Sequence, residues 1–290
     1  MPRQARLDAP GTLHHVMIRG IEGREIVKDG KDRKEFVERM GGLAEDTGTR
    51  IYAWALMKNH AHVLLRSGSR GLPQYMRRLL SGYASYFNRR HQRYGHLFQN
   101  RYKSIVCEED AYFMELVRYI HLNPMRANAV ASLSYLERYP WCGHGVILGR
   151  RERKWQERDY VLKWFGSQGR YSEFVQQGIK QGRRPELVGG GLIRSQGGWS
   201  AVKAMRSSGD EERGDERILG GGEFVDRLLA EAEEKVRLQL SSRELERRAR
   251  RLIEEMCRAQ RVRMEVLLSG SRRREVSRAR AKLAEALVEE

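Results

Sequence analysis

Apolar and polar positions in the first 130 residues follow two periods that replace each other in a fixed order. Residues 12–19, Thr-Leu-His-His-Val-Met-Ile-Arg, are a short apolar run closed by Gly20, which predicts a strand. From Asp29 to Glu45 the apolar positions Phe36, Met40 and Leu43 fall on one face at helical spacing. Residues 51–66 give two strands with a tight break near Lys58-Asn59. Leu72 to Arg93 is helical again, opened near Pro73, with Leu79, Leu80, Tyr83 and Phe87 along it. Tyr102 to Cys107 is a short strand, and Asp110 is predicted to cap a helix that runs to Asn123 and stops at Pro124. The order β-α-β-β-α-β plus a final helix predicts an α+β, ferredoxin-like split βαβ arrangement. It is one antiparallel sheet with helices packed on one face, and the strand bearing His60 lies in its middle.

Beyond residue 150 the pattern thins. Trp155, Tyr160, Val161, Trp164 and Phe165 are a small apolar set in a polar stretch, and predict short helices packed on the first domain. Gly189 to Trp199 is glycine-rich, but no strand precedes it and no Gly-Lys-Ser follows, so a phosphate-binding loop is not expected. Arg206 to Glu216 has linker composition. The chain therefore divides into a domain at 1–130, a helical extension at 131–205, a linker at 206–222 and an all-α segment at 223–290. In the last, Phe224–Leu240 and Arg243–Ala259 predict helices, Val262–Leu268 a short helix ended by Gly270, and Ser271–Glu289 a last helix. Helix, short helix, turn, helix is a helix-turn-helix layout.

Charge changes the picture. The net charge is +17, which points to a polyanionic partner, most often nucleic acid. Three scattered cysteines suit a reducing cytosol. No apolar run approaches the ~20 residues of a membrane span, and the N-terminus lacks a signal-peptide core, so a cytoplasmic protein without membrane contact is expected. From Arg66 to Lys103 nine Lys or Arg occur without one Asp or Glu. Such a single-sign stretch reads as a phosphate-backbone track. Arg77, Arg78, Arg89, Arg90, Arg101, Lys103 and the later Arg126 are its candidate DNA contacts. Tyr83, Tyr86, Phe87, Tyr94 and Phe98 are interleaved, and any that face outward can stack unpaired bases. In the last helix Arg272, Arg273, Arg274 and Arg278 are candidates for phosphate and major-groove contact.

Two histidines give the chain its candidate chemistry. His60 and His62 share one face of a strand and make a two-nitrogen platform for a divalent cation. His14 and His15 point to opposite faces of their strand, so one of them can line the same site. Among the tyrosines considered on helices, Tyr119 has Asn123 one turn on. Asn123 is then a candidate oxygen ligand and Tyr119 a candidate nucleophile. Periodicity alone favours a core tyrosine and a C-terminal asparagine cap. Cys142-x-His144 has nothing nearby to complete a tetrahedral metal set.

Four blocks, taken together, carry a resemblance: Gly11-Thr-Leu-His-His-Val-Met-Ile-Arg-Gly20, Met57-Lys-Asn-His-Ala-His-Val-Leu-Leu65, Gly95-His-Leu-Phe-Gln-Asn-Arg-Tyr-Lys103 and Arg118-Tyr-Ile-His-Leu-Asn-Pro-Met-Arg-Ala127. Over about residues 5–130 the chain resembles the HUH-type tyrosine transposases, and within them the REP-associated branch. Ala61 is smaller than the residue that family usually carries between the histidines. The resemblance implies Mg²⁺ or Mn²⁺ on His60, His62 and Asn123, with Tyr119 as nucleophile. It implies cutting of single-stranded hairpin DNA through a 5′-phosphotyrosine link, then strand joining, by a monomer or homodimer. Leu267 to Arg280 resembles the DNA-binding domain of the bacterial replication initiator, which implies duplex binding. A non-cleaving DNA-binding regulator on the same fold and a rolling-circle replication nuclease are the rival readings.

Overall fold

In the computed structural model, which describes residues 7, 10–182, 184–189, 214–260, 262–271 and 273–288, the apolar runs become strands β1 (Leu13–Arg19), β2 (Arg50–Leu56), β3 (His60–Arg66) and β4 (Lys103–Cys107). Helices α1 (Gly30–Thr47), α2 (Leu72–Arg90) and α3 (Glu109–Arg126) complete the first domain. A short strand β5 (Ile218–Leu219) joins the sheet, whose order is β2-β3-β1-β4-β5. The first four strands pair antiparallel and β5 runs parallel to β4. That order is the split βαβ topology, with the histidine strand inside the sheet.

Local chemistry sets the boundaries. The Asp29 carboxylate accepts from the Lys31 and Asp32 amides at the start of α1, and Gly48, at φ 65°, ends it in the left-handed conformation. Pro73 sits in the first turn of α2, where its missing N–H costs nothing. Two expectations for α3 need correction. Asp110 lies inside its first turn, not at the cap. Glu108 stands at the cap, and its carboxylate accepts from the Gly221 amide at 2.9 Å, tying the helix start to β5. Pro124 lies within the helix, which runs to Arg126. So close to the end the ring removes one ladder bond, and the Ala127 amide still reaches the Asn123 carbonyl at 2.8 Å.

Helices cover both faces of the sheet, not one. Phe36, Val37 and Met40 of α1 and Leu72, Tyr75, Leu79, Tyr83 and Phe87 of α2 pack with Val16, Ile18, Trp54, Val63 and Leu65. The other face takes Phe113, Leu116, Val117 and Ile120 of α3 with Leu13, Ala53, Ala55, Leu64 and Ile105. The extension adds α4 (Leu133–Arg138), α5 (His144–Ile147), α6 (Arg158–Phe165), α7 (Gln168–Gln177) and a 3-10 turn at Pro185–Val188 to this second core. Buried Gln156 locks it down: Trp54 Nε1 donates to its oxygen at 2.9 Å, and its nitrogen donates to the Tyr52 and Gly143 carbonyls at 3.2 Å. Single bridges join Ile51 to Gln156 and Ala55 to Cys142 along β2.

The chain forms two units, Met1–Leu228 and Leu229–Glu290. Where two helices were expected there is one, α8 (Gly222–Gln260). No Gly or Pro stands between Leu240 and Arg243 to break it. In the second unit α9 (Met264–Leu268) and α10 (Arg274–Val288) follow. Leu267, Val276 and Ala279 are buried there. Arg280 donates to the Leu267 carbonyl at 2.8 Å, to that of Ser271 at 2.9 Å and to that of Ser269. Arg273, Arg274 and Arg278 are exposed, and Arg272 lies outside the described residues, as does the chain from 190 to 213. Among the described residues no helix is long and apolar enough to cross a membrane.

Candidate active site

The site is built where β1 and β3 run side by side under α3. Met17 on β1 pairs with His62 on β3, and Arg19 with His60. His15 and His62 lie two pairs apart along the same ladder, and their side chains meet: His15 Nε2 is 2.9 Å from His62 Nδ1. His15 Nδ1 lies 2.9 Å from the Leu187 carbonyl oxygen, so the 3-10 turn of the extension reaches the site. His14 turns the other way to Ser104 Oγ at 3.0 Å. The His60 and His62 rings stand 5.4 Å apart, nearly perpendicular. His60 Nδ1 is 2.7 Å from Asn59 Oδ1, and Asn59 Nδ2 donates to the Gly23 carbonyl at 3.1 Å.

Helix α3 carries Tyr119 over these rings, 5.9 Å from that of His62 and 6.0 Å from that of His15, edge to face. The Arg126 guanidinium lies 5.0 Å from the Tyr119 ring and donates to its backbone carbonyl at 3.2 Å. Asn123, one turn on from Tyr119, is buried, and its amide nitrogen has no partner among the described residues. Exchanging the two ends of that amide, which its partners alone distinguish, puts an unengaged oxygen there. Two imidazoles and one unsatisfied amide suit a divalent cation that accepts nitrogen and oxygen donors. Among the described residues no group of three His, Cys, Asp or Glu side chains is placed to hold a metal.

Burial controls the electrostatics. Desolvation pushes His15 down to about 4, with a smaller push from Lys103. His62 is driven well below its ordinary value by burial and then by His15 and His60. His60 is lowered by burial and by Arg19. All three are held as neutral rings, the form that binds metals. Burial raises the Tyr119 hydroxyl, Arg126 pulls it back down, and Glu186 pushes it up.

The basic track divides. Arg90 is clamped by Asp29 and Asp32, Arg78 pairs with Asp46, and Lys103 donates to the Val188 carbonyl at 2.6 Å. Carboxylates distant in sequence thus meet a stretch that contains none. Arg77, Arg89 and Arg101 are exposed, and Arg77 and Arg101 line one groove between α2 and the loop before β4. Of the interleaved aromatics, Tyr83 and Phe87 are core, whereas Tyr94 is 94% exposed. Cys142 is buried, and His144 Nδ1 meets the Tyr171 hydroxyl at 2.7 Å. That hydroxyl is also 2.7 Å from His121 Nδ1 on α3. Asn59 and Leu187 escaped the sequence reading. An asparagine next to a histidine is a weak signal, and a backbone carbonyl gives none.

Comparison with known proteins gives one family match, which falls within the first domain. The family model described as transposase, IS200-like, matches residues 11–123. A solved REP-associated tyrosine transposase bound to a REP hairpin is 14% identical over 55% of this chain and 98% of its own, with a TM-score of 0.43. A crystal structure from Deinococcus radiodurans R1, provisionally described as a transposase, is 15% identical over 39% of this chain and 93% of its own, with a TM-score of 0.29. No curated protein matches at comparable stringency.

Proposed function

We propose, from the match of residues 11–123 to the IS200-like transposase family model, that the chain is a metal-dependent single-stranded DNA endonuclease and strand transferase that uses Tyr119 as its nucleophile. The observation that carries the proposal is the approach of the Tyr119 ring to within 5.9 Å of the His62 ring, from a helix packed across the histidine strand. His60, His62 and Asn123 are the groups that hold Mg²⁺ or Mn²⁺. When bound, such an ion neutralises charge on the scissile phosphate and fixes its orientation.

The remaining steps belong to the chain. Tyr119 loses its phenolic proton, a loss that Arg126 favours and burial opposes. Its oxygen attacks phosphorus in line, the P–O3′ bond breaks, and the departing 3′ oxygen takes up a proton. The DNA 5′ end stays on Tyr119 as a phosphodiester, which stores the bond energy for rejoining. Attack by another 3′-hydroxyl then restores a DNA strand and the phenol. Exposed Arg77, Arg89 and Arg101 are proposed to track the phosphate backbone, and Tyr94 to stack an unpaired base. The motif resemblance favours a hairpin-forming single strand as substrate. In the C-terminal unit, Arg273, Arg274 and Arg278 at the start of α10 are proposed to contact duplex DNA, with α9 and α10 as the helix-turn-helix.

The test is incubation of the full chain and its Tyr119→Phe variant with Mg²⁺ and end-labelled hairpin DNA from the sequence flanking the gene. The expected result is an adduct that survives denaturation, formed by the wild type alone. A tight complex from both proteins with no adduct from either favours a non-cleaving regulator.

A further inference from the structure

A metal-binding imidazole needs more than position. In its neutral form one ring nitrogen bears a proton and only the other offers a lone pair. Which is which depends on the partner of the nitrogen turned away from the ion. Both histidines of the platform have that partner, Asn59 for His60 and His15 for His62. Asn59 Nδ2 donates to the Gly23 carbonyl at 3.1 Å. A carbonyl only accepts, so this contact fixes the nitrogen end of the amide and turns Oδ1 to His60. Oδ1 also only accepts, so His60 Nδ1, at 2.7 Å, bears the proton. His60 Nε2 is then the lone pair.

The same logic runs through a different residue at His62. The Leu187 carbonyl, 2.9 Å from His15 Nδ1, requires a proton there. His15 is fully buried, and its two ring nitrogens are engaged by a backbone carbonyl and a second imidazole, neither of which carries a negative charge to hold a second proton. In the neutral ring His15 Nε2 is therefore an acceptor, and His62 Nδ1, at 2.9 Å, donates to it. His62 Nε2 is again the lone pair. The ring centres, 5.4 Å apart, suit a shared ion, because an ion ~2 Å from each nitrogen lies roughly 3 Å from each ring centre.

We propose that two backbone carbonyls, Gly23 acting through the Asn59 amide and Leu187 acting through the His15 imidazole, hold His60 and His62 as Nδ1–H tautomers and leave both Nε2 atoms for a divalent cation. Asn59 and His15 are thus positioning residues. Leu187 lies outside the residues that match the transposase family, so the extension becomes part of the metal site. The ligation half of this inference rests on the function proposed above, whereas the tautomers stand by themselves.

Two measurements on the full chain separate the halves. Long-range ¹H–¹⁵N spectra of metal-free, histidine-labelled protein report which nitrogen of each ring is protonated. The expectation is Nδ1–H with bare Nε2 on both His60 and His62, and Nε2–H on either overturns the relay. Mn²⁺ affinity, by calorimetry without DNA, is then compared across variants. Asn59→Leu and His15→Phe are expected to weaken it about 10–100-fold, as loss of such outer partners does. Asn59→Asp and His15→Gln are expected to restore it. Glutamine offers one N–H to Leu187 and one oxygen to His62, as Asn59 already does for Gly23 and His60. Equal affinity in wild type, Asn59→Leu and His15→Phe overturns the proposal. Wild type that binds no Mn²⁺, with the tautomers as expected, overturns the metal reading and leaves the relay standing.

Discussion

At the residue scale, the most exposed dependence of the chemistry is the charge beside the nucleophile. Arg126 stacks 5.0 Å from the Tyr119 ring and lowers the phenol, against a larger upward push from burial. Arg126 was a candidate DNA contact, and its guanidinium also donates to the Tyr119 backbone carbonyl. Replacing it by glutamine removes the one effect that favours the phenolate. The pH at which adduct formation becomes half-maximal is expected to move upward, with a slower rate at neutral pH. Single-turnover adduct formation followed from about pH 6 to about pH 10 checks this, and an unmoved profile removes Arg126 from the step. The shared faces of His60 with His62 and of Tyr119 with Asn123 were legible from spacing, but spacing alone gave the second pair no chemical role. Asn59 and His15 were only half legible, since their roles depend on carbonyls that no side-chain pattern marks.

At the element scale, the helices after residue 130 brace α3. Tyr171 of α7 places one hydroxyl between His121 of α3 and His144 of α5, 2.7 Å from each Nδ1. One contact receives the hydroxyl proton and the other donates to the oxygen, so a single hydroxyl serves the Nδ1 atoms of two buried rings. Tyr171→Phe leaves both without a partner, and a cost of about 1–3 kcal/mol is expected. A lowered urea midpoint with an unchanged slope is the signature. Because His121 lies between Tyr119 and Asn123, the same variant is expected to loosen the site as well. The strands and first two helices were readable from periodicity because each presents a full apolar face. The second layer was not: α4 to α7 contribute one to four buried residues each, on helices too short to show a period. That is why one helical layer was expected and two are found. The long α8 was misread for a different reason, since Ser241-Ser242 looks like a break in sequence but leaves the backbone hydrogen-bond ladder intact.

At the scale of the whole molecule, five buried histidines make stability depend on pH with a definite sign. His14, His15 and His144 are held down to about 4 by burial, and His62 and His121 are lowered well below their ordinary value by burial and by neighbouring histidines. The unfolded chain protonates near 6.5 while the fold resists protonation, so the unfolded state binds more protons between those values. Stability is therefore complete above pH ~6.5 and is lost toward pH ~4, at up to ~1.4 kcal/mol per pH unit for each ring. Denaturant midpoints at pH 7 and at successively lower pH test it, and a flat profile contradicts neutral burial. The sheet itself has a consequence of another kind. An open strand edge is an invitation to a second backbone, and the two long outer strands here are each met by backbone of the same chain. The two-residue β5 lies along β4 and forms the last strand of the sheet, while Gln156 and Cys142 bridge to β2. A last strand that short and a β2 edge interrupted at two points offer a second copy little continuous backbone to pair with, which works against templated aggregation through the sheet.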